Sequence, residues 1–124
     1  MKKLFCVFLV MALVAGLVGC GSNEPAASER NINIATRAVE IVDEFLDGAI
    51  RAGVAHDRVN ELAEIDTTNT KDVRVDQANH RLSTDLLLLR TDLSRAAWED
   101  TTENYNRVLE RRNALAERVG IDAR

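Results

Sequence analysis

The chain has 124 residues, 20 acidic against 16 basic for a net charge of −4, and only 4% aromatics. That balance excludes attraction to nucleic acid or anionic headgroups by bulk charge, and Phe45, Trp98 and Tyr105, the only aromatics after residue 20, are too few for a base- or sugar-stacking platform. Cys6 and Cys20 both lie in the N-terminal apolar stretch, so the rest of the chain offers no thiol for a disulfide or a metal cage.

Lys2 and Lys3 form a positive start, and Leu4 to Val18 follow as 15 uncharged apolar residues. At about 1.5 Å per helical residue this run falls short of a ~30 Å hydrocarbon core, which is the length of a signal peptide. Its end, Leu17-Val18-Gly19-Cys20, resembles the lipobox of bacterial lipoproteins, where small residues precede an obligatory cysteine. The resemblance implies cleavage between Gly19 and Cys20 after the Cys20 thiol takes a diacylglyceryl group. Two acyl chains hold a protein stably on a membrane, where a single chain binds reversibly. An uncleaved spanning helix over Leu4 to Asn23 is the competing expectation, weakened by Gly16, Gly19 and Gly21 at its end. Losing Lys2 and Lys3 with residues 1–19 lowers the net charge from −4 to −6, so attachment falls to the lipid on Cys20.

Residues 20–29 are the lipidated cysteine and a flexible tether, Gly21 to Glu29, that reaches at most about 30 Å when fully extended. Residues 30–120 are expected to form one helical domain. Ile34, Ala38, Ile41 and Phe45 recur at helical spacing, with Arg37, Glu40, Asp43, Glu44 and Asp47 opposite, and predict an amphipathic first helix. Gly48, or Gly53 one turn later, is its expected stop. Val54, Ala55, Val59, Leu62 and Ile65 predict a shorter second helix, folded back on the first and broken by the polar run Asp66 to Asp72.

The strongest stripe is Val75, Ala78, Leu82, Leu86, Leu89, Leu93 and Ala96, close to a coiled-coil seam with one irregular step. It predicts a long central helix from about Val73 to Trp98, with Arg81 and Asp85 four apart as a supporting pair. Asp100 and Glu103 stand where a capping box needs them, and Tyr105, Val108, Leu109, Leu115, Ala116 and Val119 predict a fourth helix ending at Gly120-Ile121. The segments Phe45-Leu46-Asp47-Gly48-Ala49-Ile50 and Arg112-Asn113-Ala114-Leu115-Ala116-Glu117 are similar to stretches of short helical bacterial lipoproteins. That similarity implies no activity.

Leu86-Leu87-Leu88-Leu89 covers most of a helix circumference, because successive side chains turn by about 100°. Neighbours within the bundle satisfy this, or else Leu87 and Leu88 face a protein partner or a second copy. Trp98 is expected in the core. His80 with Asp76, and His56 near Asp57, Glu61 and Glu64, are expected on solvated surfaces, since neither group is spaced to complete a metal shell. No serine, free cysteine or Gly-rich loop assembles a nucleophile or a phosphate cradle, so catalytic residues, metal and cofactor are all expected to be none.

The expected protein is therefore an all-α bundle of three or four antiparallel helices, not an enzyme. It is expected on the extracytoplasmic side of a bacterial cell membrane or outer membrane, held by Cys20 and acting as an interaction or structural module. The alternative is a lipid-anchored carrier with an apolar ligand inside the bundle.

Overall fold

Four helices carry the described residues, 26–67 and 71–124 of the computed structural model; the expected signal segment and Cys20 lie outside them. They are α1 (Glu29–Leu46), α2 (Ala52–Asn60), α3 (Val73–Trp98) and α4 (Thr102–Val119). No strand occurs among the described residues, and the fold is all-α.

Contacts along the helices fix their directions. Glu44 meets Arg58 across α1 and α2 at 2.9 Å, and Gly53 packs on Ala97 across α2 and α3. Asp92 meets Arg111 at 3.0 Å and Asp85 meets Arg118, a matched antiparallel register between α3 and α4. The chain thus runs up, down, up and down. Short connections force the reversals: residues 47–51 join α1 to α2, and residues 99–101 join α3 to α4.

Both expected glycine stops hold. Gly48 and Gly120 adopt φ of +80° and +78°, a conformation that costs glycine nothing. In each case the following amide bonds back five residues, Ala49 to Glu44 and Ile121 to Ala116, both at 2.9 Å, which consumes carbonyls the helix end leaves open. Gly48, not Gly53, ends the first helix. The expected capping box at Asp100 is displaced by one residue: Thr101 is the N-cap of α4, and its hydroxyl accepts from the Asn104 amide at 3.1 Å.

The core is aliphatic, with Ala35, Val39, Val42, Leu82, Leu86 and Leu89 among its buried members. On α3 the buried residues are Asn79, Leu82, Leu86, Leu89, Leu93 and Ala96 along the seam, with Asp92 beside it. Ala78 is only half-buried, so the irregular step disappears once Asn79 takes its place: the true spacing is 3, 4, 3, 4, 3. Asn79 is 1% exposed and satisfied, accepting from the Ser28 amide at 2.9 Å and donating to the Ser28 hydroxyl at 3.0 Å. The same device recurs on α1, where buried Asn31 donates to the Asp66 carbonyl at 2.8 Å and accepts from the Asp66 amide at 3.1 Å.

That second clasp explains why α2 is shorter than the apolar stripe predicts. With its amide and carbonyl both taken by Asn31, Asp66 holds the chain outside helical geometry, and Ile65 reaches the core from a non-helical segment. Arg90, on α3, directs Nη1 at Glu64 at 3.5 Å. Its Nε and Nη2 are buried with no hydrogen-bond partner.

Candidate docking surface at the α3–α4 end

The expected core position of Trp98 is overturned: the side chain is 88% exposed. The cause is local. Seam positions end at Ala96, and Trp98 lies two residues on, about 200° around the helix, where it points away from the core. α3 then stops, with Glu99 already extended. Nothing in the bundle continues past the indole.

Next to Ala97, the chain neighbour of Trp98, five chain segments converge on an open groove of about 790 Å³. The end of α1 supplies Phe45, the first connection Ile50, α2 Val54, the end of α3 Ala97, and the start of α4 Tyr105. Tyr105 is fixed in place: its hydroxyl donates to the Leu46 carbonyl at 2.9 Å, and its ring lies 5.9 Å from that of Phe45, tilted by 52°. That bond satisfies an α1 carbonyl while leaving an aromatic wall in the groove. On the other flank of Trp98, Arg95, Glu99 and Asn104 help line a smaller depression of about 340 Å³.

Charge around the groove is mixed. Arg51 and Asp100 of the groove, and Arg95 and Glu99 of the smaller depression, have no ion pair or side-chain hydrogen bond among the described residues. Most other ionic side chains of this surface are engaged, including Arg58 with Glu44 and Arg107 with Glu103.

The sequence-predicted surface divides. Leu87 is 61% exposed, while Leu88 is half-buried and Leu86 and Leu89 belong to the core. The Leu run is thus covered within the bundle except at Leu87, on the exposed side of the helix that carries Trp98. Val54 was expected inside and is 41% exposed, as a wall of the groove. Val54 lies five residues and so about 140° from fully buried Val59, off the stripe that Ala52, Ala55 and Val59 turn to the core.

Among the described residues no three His, Cys, Asp or Glu side chains are grouped to hold a metal, and no helix is long and apolar enough to cross a membrane. His56 touches Asp57 at 3.5 Å and Asn60 at 3.2 Å, and His80 is exposed. The lipidation candidate Cys20 lies outside the described residues.

A second cluster joins the far end of the chain to the bundle. Asp43 of α1 accepts from Arg112 of α4, Nε at 2.8 Å and Nη2 at 3.1 Å, and pairs with Arg124 at 3.1 Å. Arg124 also reaches Asp47, and Asn113 receives the Arg124 amide at 3.0 Å. Burial raises the Asp43 pKa, but hydrogen bonds and charges from the two arginines outweigh it and hold the carboxyl below its ordinary value of 3.8. This cluster is structural: Arg112 is 4% exposed, and its donors are consumed by Asp43, Asn113 and the Asp122 carbonyl.

The fold and its open end define a small all-α bundle with one exposed indole beside a groove. No family model, curated protein or solved structure matches the chain.

Proposed function

We propose that this chain is a bacterial lipoprotein, anchored through a diacylglyceryl group on Cys20 at the extracytoplasmic face of the envelope, whose bundle serves as a non-catalytic docking module. The anchor half of the reading rests on Lys2, Lys3, the 15 apolar residues that follow and Leu17-Val18-Gly19-Cys20.

A single spatial relation supports the docking half. The tether enters the bundle at Ser28, which Asn79 clasps near the start of α3. Trp98 and the groove lie 19 residues along the same helix, about 28 Å away. A domain held at one end and open at the other presents its apolar surface away from its attachment. An exposed indole at the same end as an aromatic-walled groove is the composition of a protein-binding hot spot.

Two measurements test the halves separately. Cys20→Ser is expected to abolish acyl labelling and membrane retention; a variant still acylated like the parent removes the lipoprotein reading. For docking, a photo-cross-linking phenylalanine replaces Asp57, whose side chain is exposed at the groove, in the full chain produced in bacteria. The expected result is a protein adduct that Trp98→Ala abolishes. Absence of any protein adduct removes the docking reading.

A further inference from the structure

We propose that the docking partner is a second copy of this chain, the two molecules pairing through the Trp98 end with each indole seated in the other's groove. The proposal rests on the docking reading above and specifies its occupant.

Shape is the first argument. A two-fold contact requires one patch to carry both a projection and a recess that accepts it. Trp98 projects with 88% of its surface exposed, and the groove formed by Phe45, Ile50, Val54, Ala97 and Tyr105 opens beside it at the same end of the bundle. Ala97, adjoining Trp98 in the chain, lines the groove itself, so projection and recess are rigidly linked by one helix. A short side chain at position 97 also leaves room for an incoming ring.

Charge is the second. The proteins of an acidic chain repel one another wherever their facing surfaces carry one sign. Here Arg51 and Asp100 line the groove, and Arg95 and Glu99 flank the projecting Trp98, none of the four with an ion pair or side-chain hydrogen bond among the described residues. A rim with both signs unpaired is complementary to its own copy. An acidic or basic partner would satisfy only half of it.

Area sets the strength. Two indoles and the walls they cover come to about 800 Å² in all, at roughly 200 Å² per aromatic surface. That lies below the ~1,200 Å² at which stable interfaces begin, so the pairing is reversible. Confinement of both copies to one surface raises their effective concentration and favours association that dilute solution would not sustain.

The test uses the full chain in bacterial membranes with the photo-cross-linker at position 57. The expected product has twice the mass of the chain and maps to a segment near Trp98 of the second copy. Trp98→Ala, at an exposed position, is expected to reduce it at least tenfold with helix content unchanged by circular dichroism. Val54→Arg, which fills the groove without touching the projection, is expected to do the same. A double-mass product that survives both variants overturns the pairing geometry. Adducts only of other masses overturn self-association while leaving the docking reading standing, and no adduct at all removes both.

Discussion

Arg112 grips the carboxylate of Asp43 across the α1–α4 interface with two parallel hydrogen bonds, 2.8 Å from Nε and 3.1 Å from Nη2. The guanidinium is 4% exposed and the carboxylate keeps about a third of its surface, so the pair is buried on one side only. Removing the arginine leaves Asp43 at this partly buried site with Arg124 as its remaining ion-pair partner among the described residues. Arg112→Ala is expected to cost about 3 kcal/mol, the lower end for a broken buried pair, read as a fall in the denaturant midpoint with unchanged slope. Arg112→Lys should recover only part of the loss, because an ammonium cannot reproduce the fork.

The same pair sets an acid limit. The folded-state pKa of Asp43 lies below its ordinary value of 3.8, so its stabilisation is fully present above that value and is lost as pH falls through the folded-state value. Urea midpoints of the parent and Asp43→Asn should therefore differ at neutral pH and converge below about pH 4. Parallel curves across that range contradict the assignment.

Asn79 replaces an aliphatic residue on an otherwise regular seam and is paid back by Ser28. Asn79→Ala leaves the Ser28 amide and hydroxyl without their partner at a half-buried site. A loss of about 2 kcal/mol follows, together with faster hydrogen exchange in the first turn of α1. Asn79→Ser with unchanged exchange there argues against the clasp.

Trp98 and Leu89 lie nine residues apart on one helix and should respond oppositely to truncation. Leu89 is fully buried, and Leu89→Ala is expected to cost about 3 kcal/mol through the cavity it leaves. Trp98→Ala should stay within about 0.5 kcal/mol of the parent, as an exposed site does. A large destabilisation by Trp98→Ala places the indole in the fold after all.

Arg90 carries two buried donor atoms without acceptors, while its ionic partner among the described residues, Glu64, is 87% exposed. Methionine fills the same stem without those donors. Arg90→Met is expected to stabilise by about 1 kcal/mol, a rise of roughly 5 °C in Tm for a domain of this size. A fall in Tm shows that the guanidinium is satisfied in solution.

Helix order, the long Val73–Trp98 element and the Gly120 stop were legible in the residues, because apolar spacing and left-handed glycines act within a few turns of chain. The choice of Gly48 over Gly53, and of four helices over three, came with the structure. Less accessible were pairings between distant segments. Asn79 falls on the seam at a spacing the sequence permits, yet an asparagine there looks like an interruption until Ser28, 51 residues earlier, is seen to satisfy it. Ile65 continues the α2 stripe by spacing, and only the Asn31 clasp on Asp66 shows that it reaches the core outside a helix.

The sequence by itself determined that the chain after residue 20 is an acidic, thiol-free domain of three or four helices, since charge, cysteine position and 3.6-residue periodicity are properties of the chain in isolation. Which apolar residues remain outside was decided by tertiary structure alone. Trp98, Val54 and Leu87 resemble core residues in composition, and only the assembled bundle, in which α3 stops at Trp98 and no helix covers the outer side of Leu87, leaves them exposed. Burial depends on what packs opposite a side chain, and a linear pattern specifies that only where both partners share one helix.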